Sequence, residues 1–346
     1  MFSLFNKASH SLQINETRID AGRRETVLQA ALRSGINLPY SCKVGGCGTC
    51  KCRLLSGKVR EYTDSSYVLS AEELEAGFIL ACQSVAKSDL VLEVGLAKTL
   101  ARQITGRICS QTLLTHDIVE LQIELDEPML FRAGQYAQLS LNELTGIARP
   151  YSFATRPNAA EPKVRFFIRE VPGGRLSSYL NKERLIGAQV RVEGPLGDFY
   201  LRDSDQPLLL IAGGSGLAPI LALLEQALHE GVTRPATLLF GARTQADLYA
   251  MAEIEAIASR WRAPFTFVPV LSDEPPTSDW QGARGWVGQH VNLCGDANCQ
   301  AYLCGPPAMI DHSIEQLLRH GVARDAIFAD RFTTVYDGAA DAAQAS

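Results

Sequence analysis

Four cysteines constrain the fold of this chain more than any other feature of its sequence. They are Cys42, Cys47, Cys50 and Cys82. The first three have the spacing C-x4-C-x2-C and the fourth follows after 31 intervening residues, which is the ligand pattern of a plant-type [2Fe-2S] cluster. The loop between them is rich in glycine, so its backbone can fold closely around a bound group. The spacing therefore predicts a small domain built around a cluster that carries single electrons.

Zinc is the main structural alternative, because four cysteine thiolates also hold Zn²⁺. Zinc sites of that kind usually contain two C-x2-C pairs, whereas this cysteine set has one, so the pattern favours the cluster. Cys52 lies on a strand that leaves the loop, and we interpret it as a core residue and not a ligand. Cys109, Cys294 and Cys299 have no ligand-like spacing and receive no role.

The size and charge of the chain limit its organisation and its partners. A length of 346 residues predicts two or three domains, and we expect three. The formal net charge of -5 argues against nucleic acid as a partner. The sequence contains no apolar run of membrane-spanning length and no signal-peptide pattern, and its nine cysteines do not indicate a disulfide framework. These features predict a cytoplasmic protein without a transmembrane segment.

Hydrophobic periodicity divides the chain into three folded regions. Residues 1–97 combine short strands, a helix and the cysteine loop, which predicts a small α+β domain, and residues 98–104 are predicted to be a linker. Residues 105–204 are β-rich and interrupted by proline and glycine, which predicts an antiparallel β-barrel. In residues 205–337 strands alternate with helices, which predicts a parallel α/β sheet. The small, alanine-rich tail 338–346 is predicted to be disordered.

Two elements of the predicted barrel suit a flavin nucleotide. The motif Arg149 to Ser152 supplies an arginine for a pyrophosphate, a flat tyrosine ring and a hydroxyl that can reach a ring nitrogen. Taken alone, it is better explained as a surface arginine followed by a buried aromatic strand. The turn Gly173 to Ser177 opens a helix whose N-terminal amides suit an anionic phosphate. The two elements together favour a flavin.

Strand-to-helix turns in the C-terminal region suit a dinucleotide. The strand Leu208 to Ala212 runs into the glycine turn Gly213 to Gly216 and a helix with Pro219 in its first turn. Tyr302 to Met309 repeats strand, turn and helix, although Cys304 within it also fits a simple buried thiol. Such turns bind pyrophosphate because glycine allows close approach and the helix N-terminus favours negative charge.

A third strand end is predicted to meet the adenosine end of the dinucleotide. It carries Gly241, Arg243 and Asp247. An acid near the ribose favours NAD, whereas an arginine tolerates a 2′-phosphate. We expect NADH.

The order of these motifs resembles the ferredoxin-NAD(P) reductase superfamily, and specifically the reductase (electron transfer) components of bacterial multicomponent oxygenases. The segments Lys43 to Gly45, Val171 to Gly174 and Phe328 to Phe332 are most similar to xylene monooxygenase electron transfer components. The resemblance implies a β-grasp [2Fe-2S] ferredoxin domain, a FAD-binding β-barrel and an NAD-binding α/β domain. It implies electron flow from NADH through FAD and the cluster to an oxygenase or hydroxylase component, or to an intermediary ferredoxin.

The resemblance also implies properties of the partner. The oxygenase acts on aromatic or hydrocarbon substrates, and it is either soluble or membrane-bound. We expect the chain itself to be a monomer.

The resemblance assigns roles to individual residues. For FAD they are Arg149, Pro150, Tyr151, Ser152, Phe167, Ile168, Arg169, Gly174, Arg175, Leu176, Ser177 and Phe332. For NADH they are Gly214, Gly216, Leu217, Ala218, Pro219, Gly241, Arg243, Asp247, Cys304, Gly305 and Pro306. Catalytic roles are expected for Ser152, Cys304 and Phe332, the last as an aromatic cover for the flavin ring. No acid-base pair is expected, and His116-Asp117 is interpreted as a turn.

Two alternative functions stay open at this point. The same electron chain can serve an acceptor other than an oxygenase. A zinc-stapled nucleotide-binding protein without redox activity is the alternative from a different class.

Overall fold

The computed structural model describes residues 9–40, 43, 45, 48–69, 71–95, 101–294 and 297–332. The chain divides into two compact units, one of residues 1–100 with 196–198, the other of residues 101–195 with 199–346. Within the described ranges, no helix is both long enough and apolar enough to cross a membrane.

The first unit is a small α+β fold. Its elements are β1 (Ser9–Ile14), β2 (Thr17–Gly22), α1 (Val27–Arg33), β3 (Lys51–Ser56), β4 (Val59–Glu61), α2 (Ala71–Glu75), β5 (Phe78–Leu80), β6 (Ser84–Ala86) and β7 (Leu90–Glu93). Five strands form a sheet in the order β2-β1-β7-β3-β5, while β4 and β6 pair separately. A capping box begins α1, because Thr26 and Gln29 each accept the other's backbone N–H. The predicted α+β class is confirmed.

The second unit begins with an antiparallel barrel. Its elements are β8 (Arg102–Leu113), β9 (Ile118–Leu125), β10 (Tyr136–Leu141), β11 (Arg149–Ser152), β12 (Lys163–Arg169), α3 (Arg175–Lys182) and β13 (Gln189–Leu196). The strand order is β11-β10-β13-β8-β9-β12, and a bridge between Phe153 and Phe166 brings the two edges together. Ile108, Ile123 and Phe166 are among the fully buried residues that fill its interior. The predicted barrel is confirmed.

A parallel sheet completes the second unit. Its elements are β14 (Leu208–Gly213), α4 (Leu217–Glu230), β15 (Ala236–Ala242), α5 (Met251–Arg260), β16 (Phe265–Leu271), β17 (Ala283–Arg284), β18 (Gln300–Gly305), α6 (Pro307–Arg319) and β19 (Ile327–Arg331). The order is β17-β16-β15-β14-β18-β19. Leu208, Leu210 and Ala212 face the core under α4, whereas Leu209 and Ile211 face the core under α6. Burial on both faces explains why β14 is apolar throughout.

One apolar core joins the barrel to the parallel sheet. It contains Ile118, Ala154 and Phe167 from the barrel together with Leu210 and Phe240 from the parallel sheet. The two sheets of the second unit are therefore packed directly against each other.

The linker predicted at residues 98–104 extends too far. Strand β8 begins at Arg102, where it pairs with Gly194 of β13. The backbone of these residues bonds into the barrel, so they cannot act as a free connector. The remaining domain bounds stay a prediction, and the tail 338–346 lies outside the described residues.

Candidate functional site

The cysteine loop of the first unit places two of the predicted ligands together. Cys50 and Cys82 are both buried, and the backbone N–H of Cys82 donates to the Cys50 Sγ at 3.5 Å. The Gln83 side-chain amide donates to the Cys82 Sγ at 3.7 Å and to the Lys43 carbonyl oxygen at 3.1 Å. Hydrogen bonds to sulfur are a means by which a protein tunes an iron-sulfur cluster. The other two predicted ligands, Cys42 and Cys47, lie outside the described residues.

The same loop is shaped to lie against its neighbours. Gly45 has a φ of +85°, and a Cβ at this position would lie 2.8 Å from both the Gln83 Cγ and the Thr63 Oγ1. Glycine is required here by conformation and by space. Buried thiols that accept N–H donors from Cys82 and Gln83, beside a glycine-rich loop, fit the chemistry of a cluster. Cys52 is also buried, and burial raises the pKa of its thiol to about 12, as suits a core residue.

The predicted flavin motif lies on β11, at one edge of the barrel sheet. Ser152 is buried opposite Tyr136 of β10, and Arg149 is exposed. Tyr151 packs against the barrel core, and burial raises the pKa of its phenol. The exposed arginine and the partly buried aromatic match the simple surface-and-core explanation as well as a flavin role.

Strand β12 contains three of the predicted flavin-binding residues, two of them buried and one partly exposed. Phe167 and Ile168 are 3% and 0% exposed, so only their backbone can meet a ligand. Arg169 is partly exposed at the end of the strand. The Ile168 carbonyl oxygen already accepts from the Asn181 side chain at 3.1 Å.

The turn before α3 leaves its helix N-terminus uncapped by any side chain. Ser177 is buried, and its hydroxyl accepts from the Val171 N–H at 3.1 Å and donates to the Gly174 carbonyl oxygen at 3.3 Å. A Cβ on Gly174 would lie 2.5 Å from that hydroxyl. The Ser177 side chain therefore shapes the turn, while the backbone amides of Arg175 to Ser177 suit a phosphate.

The two predicted dinucleotide turns meet at the switch point of the parallel sheet. Strands β14 and β18 are neighbours, and the chain order runs outward from them in opposite directions. Ligands of such sheets bind where the carboxyl ends of the strands diverge. A Cβ on Gly216 would lie 2.2 Å from the Cys304 carbonyl oxygen. The glycine is therefore required by the contact between the two turns themselves.

Tyr249 braces the first of these turns and was missed by sequence reasoning. Its hydroxyl donates to the Gly214 carbonyl oxygen at 2.9 Å, and its ring lies edge-on to Phe167 of the barrel at 5.4 Å. The tyrosine is 5% exposed, and burial raises the pKa of its phenol. The preceding sequence carries no local pattern that marks this residue.

Two of the three predicted catalytic residues lie at the second turn. Cys304 is 0% exposed, and burial raises the pKa of its thiol, so the thiol stays protonated. The backbone N–H of Phe332 donates to the Gly305 carbonyl oxygen at 2.9 Å, and its side chain packs against the shared core. The catalytic roles of Ser152, Cys304 and Phe332 stay predictions.

A cluster of charges lies beside the first turn. We call it the Asp117 cluster, and it comprises Asp117, Arg169, Arg243 and Asp247. The Asp117 Oδ2 accepts from the Arg169 Nε at 2.9 Å and from the Arg243 Nη2 at 3.1 Å. A Cβ on Gly214 would lie 3.0 Å from the Arg169 Nη1. His116-Asp117 does form a turn between β8 and β9, yet its aspartate also joins the barrel to the parallel sheet.

Three family models match consecutive parts of the chain. The 2Fe-2S iron-sulfur cluster binding domain matches residues 12–87, the oxidoreductase FAD-binding domain residues 105–200, and the oxidoreductase NAD-binding domain residues 210–314. The cofactors are accordingly a [2Fe-2S] cluster, FAD and NADH. The zinc alternative finds no support in these matches.

Relatives of the whole chain share this organisation. The xylene/toluene monooxygenase electron transfer component of Pseudomonas putida is 41% identical over 315 residues, covering 90% of this chain and 89% of the relative. The reductase component of phenol 2-monooxygenase from Pseudomonas sp. (strain CF600) is 36% identical over 332 residues, covering 93% of each. A solved structure of an Amycolatopsis cytochrome P450 reductase aligns with a TM-score of 0.77 at 33% identity, over 94% of this chain and 99% of that one.

These matches identify the class of protein. The chain belongs to the ferredoxin-NAD(P) reductase family, among the reductase components that supply electrons to multicomponent oxygenases.

Proposed function

We propose that this chain takes electrons from NADH and delivers them through FAD and a [2Fe-2S] cluster to the oxygenase component of a mono- or dioxygenase. The observation that carries the proposal is the presence, in one chain, of the two buried cysteines Cys50 and Cys82 and of a parallel sheet whose switch point lies next to a barrel. Bound FAD accepts electrons in a pair and releases them singly, which matches NADH to a one-electron cluster.

The barrel residues are proposed to hold FAD through its phosphates and its ring. The exposed Arg149 and the uncapped N-terminal amides of α3, at Arg175 to Ser177, support binding of an anionic pyrophosphate. Ser152 and Tyr151 supply a hydroxyl and an aromatic face on β11. The backbone of Phe167 lies in the neighbouring strand β12.

The switch point is proposed to hold the nicotinamide nucleotide. The N-terminus of α4 has no side-chain cap, and the Leu217 N–H donates to the Gly214 and Ser215 carbonyl oxygens. The positive end of this helix still favours an anionic pyrophosphate beside the glycine turn. Pro219 lies in the first turn, where its missing N–H costs no helical hydrogen bond. Gly305 and Pro306 line the opposite side of the same turn.

The partner is proposed to be an oxygenase or hydroxylase protein that acts on an aromatic or hydrocarbon substrate. Support comes from relatives named for xylene/toluene, phenol and propane oxygenation. An intermediary ferredoxin is the other acceptor of the same chemistry. A monomeric state and a cytoplasmic location complete the proposal.

A paired-acceptor assay tests the proposed electron path. Ferricyanide can take electrons from the flavin, whereas cytochrome c is expected to need the cluster. Cys82→Ser should lose most NADH-dependent cytochrome c reduction and keep ferricyanide reduction, because Cys82 is a predicted ligand. Cys52→Ser is the matched control and should keep both, with normal iron content. Equal loss of both activities in Cys82→Ser, in a protein that retains FAD, would contradict the order flavin then cluster.

A further inference from the structure

A single carboxylate joins arginines from the two sheets of the second unit. Asp117 lies in the turn between β8 and β9, Arg169 ends β12 of the barrel, and Arg243 follows β15 of the parallel sheet. Both arginines donate to the Asp117 Oδ2, at 2.9 and 3.1 Å. The Asp117 side chain is 17% exposed, while that of Arg243 is 45% exposed. The largely buried Asp117 carboxylate thus contacts Arg243, whose side chain is partly exposed to solvent.

The Asp117 carboxylate is held in place before it meets either arginine. Its Oδ1 accepts from the Thr115 hydroxyl at 3.0 Å, and its backbone carbonyl oxygen accepts from the Glu170 N–H at 2.7 Å. Burial raises the pKa of Asp117, but Arg169 and the Thr115 hydroxyl outweigh it and hold that pKa below its usual value. The group is therefore a fixed negative charge at neutral pH.

Arg243 is the cation at the strand end predicted to meet the adenosine. A guanidinium there can bind a 2′-phosphate through paired hydrogen bonds. In this structure the Arg243 Nη2 instead lies 3.1 Å from Asp117 and 3.3 Å from Asp247. The adjacent His116 ring lies 3.2 Å from the same nitrogen through its Nε2. Two carboxylates thus neutralise the charge that a 2′-phosphate would need.

The second carboxylate, Asp247, mainly accepts hydrogen bonds within its own turn. The Asp247 Oδ2 accepts from the Thr244 N–H and hydroxyl, each at 3.0 Å, which closes a capping box. Its remaining oxygen makes the longer contact with Arg243. The shorter contact comes from Asp117, on the other sheet.

We propose that Asp117 is a specificity-determining residue that holds Arg243 away from a 2′-phosphate and thereby makes the chain select NADH over NADPH. The proposal rests on the proposed function, since it concerns the nucleotide that the switch point binds. A residue of the barrel then sets the nucleotide preference of the parallel sheet. It acts through Arg243, without touching the adenosine itself.

Asp117→Asn tests the proposal, because it removes the charge and keeps the shape. The ratio of kcat/KM for NADH to kcat/KM for NADPH should fall about tenfold, mainly through a lower KM for NADPH. Asp126→Asn is the control, since Asp126 is an exposed residue just after β9 of the same barrel. It removes the same charge and should leave the ratio unchanged.

A double-mutant cycle separates the proposed contact from a general change in charge. Arg243→Ala should abolish the gain in NADPH use when combined with Asp117→Asn. Asp117→Glu restores the charge and should bring the ratio back toward that of the unmodified protein. If the double variant Asp117→Asn/Arg243→Ala used NADPH better than the single variant Arg243→Ala, Asp117 would not act through Arg243 and the proposed contact would be wrong.

A binding measurement without turnover completes the test. Calorimetry on the FAD-loaded protein should show about tenfold tighter binding of adenosine 2′,5′-bisphosphate in Asp117→Asn, and unchanged binding of 5′-AMP. Unchanged binding of both probes in a protein that still oxidises NADH would overturn the role of Asp117 alone. If the unmodified, FAD-loaded protein did not oxidise NADH at all, the proposed function itself would be wrong.

Discussion

Two charge clusters of different composition lie along strand β12. At one end the Asp117 cluster combines two arginines with two carboxylates, and Asp117 contacts both arginines. At the other end one arginine lies among three carboxylates, and we call this the Arg165 cluster: Arg165, Glu120, Glu225 and Glu253. Both connect the barrel to the parallel sheet, but the side chains of the Arg165 cluster are 14% to 28% exposed, whereas the arginines of the Asp117 cluster are 33% and 45% exposed.

The Arg165 cluster is built as a fixed joint. The guanidinium makes two bonds to Glu253 of α5, at 3.1 and 2.5 Å, and two to the Ala154 carbonyl oxygen, at 3.0 and 2.7 Å. Glu225 of α4 lies 3.6 Å away and also accepts from the Arg156 N–H. An arginine side chain that is only 18% exposed and has this many acceptors has little freedom to bind anything else. The arginines of the Asp117 cluster are more exposed, so the carboxylates that contact them control whether they meet a ligand.

The pleat of one strand places both clusters on the same face of the barrel sheet. Arg165, Phe167 and Arg169 point toward the parallel sheet, with Phe167 against Tyr249. Phe166 and Ile168 point into the barrel interior. The alternation of period two places both clusters on one face, and their distance from solvent decides what each can do.

The largest effect on stability is expected from removing the arginine of the Arg165 cluster. Arg165→Met should lower the free energy of unfolding by about 3–5 kcal/mol, because it leaves three carboxylates in place without their cation. Chemical denaturation of the FAD-loaded protein measures this. Arg102→Met, which removes an exposed partner of Glu127, is the control and should cost less than about 1 kcal/mol. Similar losses in both variants would show that the joint is no stronger than a surface pair.

The pH dependence of the buried cluster gives the next effect. Burial raises the pKa of Glu225 above its ordinary 4.5, so the folded state holds this proton more tightly than the unfolded state. Its contribution to stability must therefore fall as the pH rises from about 4.5 through the raised pKa. Glu225→Gln should flatten the decline in unfolding free energy above about pH 4.5, because the amide does not titrate, while its oxygen can still accept from the Arg156 N–H. If the unfolding free energy of the variant declined with pH as steeply as that of the unmodified protein, a group other than Glu225 would cause the decline.

The half-exposed cluster should contribute less to stability and with the opposite sign. The pKa of Asp117 lies below its ordinary 3.8, so its contribution is present above that pH and is lost as the pH falls through the lowered pKa. Asp117→Asn should cost about 1 kcal/mol or less at neutral pH, because solvent screens these pairs. Denaturation at neutral and at strongly acidic pH checks both statements. A loss as large as that of Arg165→Met would remove the distinction between the clusters.

The smallest effect sets the baseline for an exposed pair. Arg319 and Glu315 lie four residues apart on α6, and their side chains are 66% and 55% exposed. Arg319→Gln should lower the unfolding free energy by about 0.5 kcal/mol or less. Thermal denaturation against the unmodified protein measures it. A larger loss would mean that the surface pairs cannot serve as a reference for the two clusters.

Local patterns in the sequence predicted much of the fold. Strand β9, Ile118–Leu125, is an example of the β-rich pattern predicted for residues 105–204, because its apolar residues alternate. The turn at Gly213 and the first-turn position of Pro219 were also predicted. The role of Asp117 was missed, because its partners Arg169 and Arg243 lie 52 and 126 residues further along the chain. No periodicity links residues at such separations.

The glycine turns show the same limit. Sequence reasoning attributed Gly216 to close approach of a pyrophosphate, whereas the structure places the Cys304 carbonyl oxygen where its Cβ would be. Both explanations require glycine, so the sequence alone could not distinguish them. Cys304 likewise fitted a catalytic or a buried thiol, and only packing shows that it is fully buried.

The sequence by itself determined the class of this protein, because cysteine spacing and glycine turns are short-range patterns that their cofactors impose directly. The tertiary structure decided which charges act together. Arg243 is a candidate phosphate ligand in the sequence, but Asp117 of the barrel neutralises it once the two sheets pack. Arg165 and Arg169 are two residues apart on one strand, and only their burial separates a structural joint from a group that can meet a nucleotide. Burial and long-range pairing depend on the packed chain, and no local pattern records them.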